Sequence, residues 1–150
     1  MISSKTKYGL KALMILSEEY AAKRPILISE LAKKERIPKK FLEHILLELK
    51  NKGILYSKKG KGGGYSLSKK PEQISVGAVI RVLEGTLSPL PCLSQTAYHK
   101  CDECRDETTC AIRMVMKEVR EATASILDGT SLREMLDQSK ASEEAPMYAI

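Results

Sequence analysis

All four cysteines of this 150-residue chain fall in one stretch, PCLSQTAYHKCDECRDETTC, from Pro91 to Cys110. Cys101 and Cys104 form a C-x-x-C pair, Cys110 follows six residues after Cys104, and Cys92 stands nine before Cys101. Thiolates are soft ligands, and four of them satisfy either tetrahedral zinc or an iron–sulfur cluster. Structural zinc sites pair two short knuckles, and only one is present. A loop wrapped around several irons tolerates such uneven spacing better, while zinc and metal-free thiol sensing stay open as alternatives. A disulfide oxidoreductase would need a helix starting at the C-x-x-C pair in a βαβ setting, and neither is visible.

The surroundings of the thiols favour a cation. Asp102, Glu103, Asp106 and Glu107 make the loop acidic, which attracts a metal and raises thiol pKa values while none is bound. Thr108 and Thr109 are expected to cap a following helix, which would set the Cys110 sulfur near a helix N-terminus, where the dipole favours thiolate. The opening MISSKTKYGLKALMIL carries lysines through its only apolar region, unlike a secretory leader. No apolar run approaches the ~20 residues of a membrane span. The expectation is a cytoplasmic protein with no membrane partner, in a reducing compartment where clustered cysteines serve as ligands or redox thiols.

The elements that hold this loop divide by charge. Residues 1–70 carry 17 Lys and Arg against 6 Asp and Glu, a net +11, whereas residues 71–150 carry 8 against 13, a net −5. A basic half of this kind suits a polyanion, or is simply a solvated lysine-rich face. In pattern, Leu10, Leu13, Met14 and Tyr20 recur at helical spacing from Ser4 to about Ala21 behind a Ser3 or Ser4 cap. A short second helix follows in ILISELAKKERI with Ser29 as its expected N-cap, and after a turn at Ile37 and Pro38 a third runs to Gly53. Phe41, Leu42, Ile45, Leu46 and Leu49 form its apolar stripe, leaving Lys39, Lys40, Glu43 and His44 on the exposed N-terminal face.

ILYSKKGKGGGYSLS then reads as two short strands joined by a cationic glycine-rich tip. GKGGG between strands is not the G-x-x-x-x-G-K-[ST] of a phosphate loop. Three helices followed by a basic hairpin is the order of a winged helix-turn-helix, in which the helix after the turn enters the major groove of double-stranded DNA. SVGAVIRVLEG continues as a core helix behind Ser75, with Val76, Val79, Ile80 and Leu83 on one face. After the cysteines, Ile112, Val115, Met116, Val119, Thr123, Ile126 and Leu127 make a stripe over about four turns. The economical partner for that stripe is the same helix of a second chain; packing back onto its own domain is the alternative.

The segments KYGLKALMILSE, PKKFLEHILLELKNKGIL and KKGKGGGYSLSKKPEQISVGAVIRVLEG, with the cysteine loop and long helix after them, resemble the iron–sulfur cluster regulators of the IscR, NsrR and CymR type over about residues 1–136. The resemblance implies a mainly α fold with a small β-hairpin wing: a winged helix-turn-helix domain over 1–70, a packing helix and connector over 71–90, a cofactor loop over 91–110, a dimerisation helix over 109–128, and a short helix with a flexible apolar-tipped tail over 129–150. It implies a homodimeric transcription regulator, not an enzyme, that binds a palindromic promoter site and in many members senses iron–sulfur, redox or nitric oxide status through a 2Fe–2S or 4Fe–4S cluster; other members lack one. Cys92, Cys104 and Cys110 match the cluster cysteines. Where some members place a histidine three residues after the last cysteine, this chain has Arg113, and where others recruit an acidic residue near the partner's N-terminus it has Tyr8 among lysines. The fourth ligand is open, with Cys101 as the candidate and His99 behind it. Lys39, Lys40, Phe41 and Glu43 stand at positions resembling the base-reading face, with Phe41 equally placed for the core and Glu43 for a surface pair with Lys39 or Lys40. Lys5, Lys7, Lys58, Lys59 and Lys61 read as phosphate contacts. A protein-interaction module, its lysines serving solubility, is the reading from another class.

Overall fold

The computed structural model describes residues 2–145; the apolar tip after Pro146, expected to be flexible, lies outside them. The Ser3 hydroxyl accepts from the Thr6 N–H at 3.3 Å and starts α1, Ser4–Glu18. Its buried residues, Thr6, Gly9, Ala12, Leu13, Ile15, Leu16 and Ser17, spread over more than one face, because helices from both ends of the chain pack around it. Gly9 permits this crowding: a Cβ there would run into the side chains of Leu83 and Ile45.

Helices α2 (Ile28–Glu35) and α3 (Lys39–Asn51) are joined by a turn in which Arg36 is left-handed at φ 54° and the Ile37 N–H closes on the Ala32 carbonyl at 3.0 Å. Leu31, Ile37, Leu42, Ile45, Leu46 and Leu49 are buried. One open placement is decided here and one expectation changes. Phe41 is 37% exposed, outside the core, with its ring edge-on to Tyr8 at 5.7 Å between centroids. Ser29 is not the N-cap of α2: Leu27 holds that place with no side-chain bond, and Ser29 falls within the first turn. Ile26 explains the shift, since it pairs with Tyr65 of the hairpin through bonds of 2.9 and 2.8 Å and brings the chain into the helix early.

The hairpin consists of β1 (Leu55–Lys58) and β2 (Gly64–Leu67), antiparallel, with Leu55 opposite Leu67 and Lys58 opposite Gly64. Gly64 sits at φ +139°, and a Cβ there would strike the backbone of Ile26. Gly64→Ala should therefore lower stability by about 2–4 kcal/mol, from backbone strain plus the loss of the Ile26–Tyr65 pairing. Urea unfolding measures it, and a change below ~0.5 kcal/mol, the range of an ordinary surface substitution, would contradict the close approach.

After a 3₁₀ turn at Pro71–Gln73 comes α4, Val76–Glu84, capped as expected by Ser75, whose hydroxyl accepts from the Ala78 N–H at 3.1 Å. Its N-terminal end is tied to the later chain: the Val76 N–H donates to Thr130 O at 2.8 Å and the Leu132 N–H to Ile74 O at 2.9 Å. Hydrogen bonds from Ser3 and Thr6 hold the Glu84 carboxyl down to about 2, fixing the C-terminal end of α4 to the start of α1. A long connector with a 3₁₀ turn at Pro91–Leu93 leads to α5, Ala111–Asp128, and α6, Leu132–Glu144, follows. α6 starts at a capping box of Ser131 and Glu134 and sinks Leu132 and Leu136 into the domain beside α1. It is a core element rather than an appendage, whereas α5 has no buried residue at all. Among the described residues no helix is long and apolar enough to cross a membrane.

Candidate functional site

Two neighbourhoods collect the chemistry-bearing residues. The first is a groove of about 320 Å³ where the starts of α2 and α3 meet the wing; Ser29, Lys39, Glu43, Lys58, Gly60 and Tyr65 are among its lining. The Ile26–Tyr65 pairing described above draws the wing against α2. Lys39, Lys40, Lys58, Lys59, Lys61 and Lys7 are all exposed, and among the described residues none of them makes an ion pair. Glu43 does not pair with Lys39 or Lys40 either. Unneutralised ammonium groups flanking a helix N-terminus make an anion-seeking surface. Lys5 is different, because its Nζ donates to Glu48 Oε1 at 2.8 Å and to Leu83 O at 3.2 Å. Ser29, treated in sequence as a cap, instead lines this groove; the β-like pairing potential of Ile26 was the signal that could have released it.

The second neighbourhood is a cavity of about 600 Å³ lined by Cys92, Cys101, Cys104 and Cys110, with His99, Glu103, Asp106 and Arg113. The connector brings all four thiols to one cavity, and all four are free. Cys110 itself is the N-cap of α5, its Sγ accepting from the Arg113 N–H at 3.4 Å. This replaces the expected threonine cap: Thr108 is held back by its hydroxyl bond to Asp106 at 2.7 Å. Cys101 is exposed and donates its S–H to Glu103 at 3.1 Å, which pushes its pKa up. His99 lies 4.0 Å from Asp102 on the open side of the loop, 74% exposed.

By donor chemistry and by placement around one cavity, this set fits a thiolate-held cluster. One of the lining residues, Arg113, has a buried Nε without a hydrogen-bond partner. Among the described residues no three His, Cys, Asp or Glu side chains stand close enough together to hold one metal ion.

Helix α5 connects this cavity to the rest of the molecule. Its N-terminal end carries Cys110, its middle is tied to the connector by Arg120 donating to Leu93 O at 2.8 Å, and its last residue, Asp128, takes a two-pronged bond from Arg81 of α4 at 2.6 and 2.8 Å. That guanidinium holds the Asp128 carboxyl below its usual range. On the outer face, Ile112, Val115, Val119 and Ile126 are 66, 58, 46 and 67% exposed. Met116, Thr123 and Leu127 of the same predicted stripe are instead half-buried, so the stripe is divided: one part packs within the chain, beside α4, and the other is left uncovered by it.

A family model described as "Rrf2: Iron-dependent Transcriptional regulator" matches residues 2–138. An rrf2-like HTH-type transcriptional regulator of Rhodobacter capsulatus is 44% identical over 138 residues, 91% of this chain and 92% of that one. The regulator CymR of Bacillus subtilis is 30% identical over 149 residues, 99% of each chain. NsrR of Geobacillus kaustophilus is 30% identical over 91% of this chain and 89% of its own. The solved structure of B. subtilis CymR, described as the global cysteine regulator, superposes with a TM-score of 0.76 over 92% of this chain and 97% of its own.

Proposed function

The chain belongs to the Rrf2 family of HTH-type transcriptional regulators, and from that premise we propose that it works as a homodimer on a palindromic promoter site and senses iron–sulfur, redox or nitric oxide status through a cluster. Cys92, Cys104 and Cys110 are the ligands, with Cys101 as the fourth. The observation that carries this reading is the convergence of four free thiols on one cavity at the head of α5. A bound cluster supplies electron transfer and a reversible cross-link between the loop and α5. The chain's own residues do the rest: Cys110 orients the helix start, Arg81 and Asp128 clamp its far end to α4, and a shift of α5 therefore moves the two reading heads of a dimer relative to each other.

At the start of α3, Lys39 and Glu43 in the groove and Lys40 and Phe41 beside it face the bases, Glu43 accepting from a cytosine amino group. Lys7, Lys58, Lys59 and Lys61 contact phosphates, and Ser29 joins them as a hydroxyl donor; Lys5, committed to Glu48, contributes least. Lys59→Ala should weaken binding to all sequences alike and flatten the salt dependence by about one log–log unit, the slope carried by a single neutralised phosphate. Lys40→Ala should instead change sequence preference. Fluorescence anisotropy over a salt series with specific and scrambled duplexes checks both, and identical uniform losses would overturn the division of roles.

A second reading, a metal-free thiol sensor, is favoured by the open ligand geometry. Anaerobic purification decides. The cluster reading expects a coloured protein with iron and sulfide in comparable amounts; a colourless protein, zinc-loaded or metal-free, would sink it.

A further inference from the structure

Arg113 lies within the first turn of α5, and its backbone N–H already meets the Cys110 sulfur. Its side chain lines the cavity shared by the four cysteines. Its Nε is buried without a hydrogen-bond partner. Leaving a buried donor unmet is costly, more so on a charged group, and a guanidinium cannot shed its proton to escape the cost. Two carboxylates on the same cavity could have taken the bond. Neither does so: Glu103 accepts from Cys101, and Asp106 from Thr108. A donor without a partner and a fixed positive charge thus stand on the side chain beside the thiols.

Resting on the cluster reading above, we propose that Arg113 is the hydrogen-bond donor and counter-charge of the cluster, its Nε–H directed to a cluster or thiolate sulfur, and not a ligand. Coordination by thiolates leaves a cluster net negative. One-electron reduction by an external donor adds one further negative charge and releases nothing. A neighbouring cation and a hydrogen bond to sulfur both favour the more negative form, so Arg113 raises the reduction potential. It also offsets the acidic side chains of the loop, which would otherwise hold the reduced state off.

The test uses the anaerobically purified, cluster-loaded full chain and its Arg113→Gln and Arg113→Lys variants, titrated with dithionite against redox dyes. Gln keeps an N–H donor without the charge; Lys keeps the charge without the planar fork. Iron and sulfide contents and circular dichroism should match the parent in both variants. The potential of Arg113→Gln should fall by at least a tenfold change in electron affinity, about 59 mV for one electron, with Arg113→Lys in between. A loaded Arg113→Gln with the parental potential overturns the proposal while leaving the cluster reading intact. Failure of both variants to assemble a cluster that the parent holds makes Arg113 a ligand or a strut, and also overturns it. A parent without cluster fails the underlying reading, and the proposal falls with it.

Discussion

Val119→Asp should convert a dimer into a folded monomer and weaken binding to a two-half-site operator by roughly 100-fold or more, the scale on which linked binding modules gain over single ones. Val119 stands in the middle of the outward stripe of α5, 46% exposed in the single chain. An aspartate there is solvated in the monomer, and its effect on monomer stability should stay near ~0.5 kcal/mol, as for other surface changes. At a two-fold interface the same substitution places two carboxylates against each other in an apolar seam, with a desolvation cost of several kcal/mol per ion. Analytical ultracentrifugation reads the first effect and DNA titration the second. Glu118→Ala, at another exposed position of the same helix, should change neither. A Val119→Asp protein that sediments as the parent would mean that α5 does not form the dimer seam.

Cys92→Ser, Cys104→Ser and Cys110→Ser should each abolish the cluster, with iron and sulfide falling below about a tenth of the parent, because a serine hydroxyl does not ionise to replace a thiolate ligand. Cys110→Ser is the most informative of the three. Cys110 is both an expected ligand and the N-cap of α5, and serine is among the best N-cap residues. The substitution removes the ligand while keeping the helix start, so loss of iron with unchanged helicity separates the two roles. Cys101→Ser addresses the residue whose thiol is exposed and bonded to Glu103. Loss of the cluster on that substitution assigns it as fourth ligand, and full retention excludes it. Retention of cluster in any of the other three variants would overturn the ligand set.

Much of this was legible in the chain alone. Leu42, Ile45, Leu46 and Leu49 were readable as a buried face because their spacing matches the helical period, and the wing because glycines and lysines interrupt two β-prone runs. Phe41 was not separable from that face by period alone; it ends on the rim because α1 puts Tyr8, rather than a gap, beside it. Ser29 was assigned to a cap because a cap is a local rule, yet its place depends on Ile26 pairing with a residue 39 positions later. Lys5 and Lys7 look alike in a charge count, and only the approach of Glu48 distinguishes them.

The amphipathic stretches after the cysteines make the same point more sharply. Periodicity states that a face must be covered but not by what. α6 covers its leucines on α1, whereas the outward apolar stripe of α5 remains uncovered within the chain. The sequence by itself determined the element order, the core stripes, the charge division and the presence of a four-thiol loop, because these follow from local period, composition and capping. Only the tertiary structure decided that the four thiols share one cavity, that the Arg113 side chain lining it keeps a buried donor without a partner, and that Arg81 and Asp128 join the far end of α5 to α4. Each of those depends on groups distant in sequence meeting in space, which no local pattern encodes.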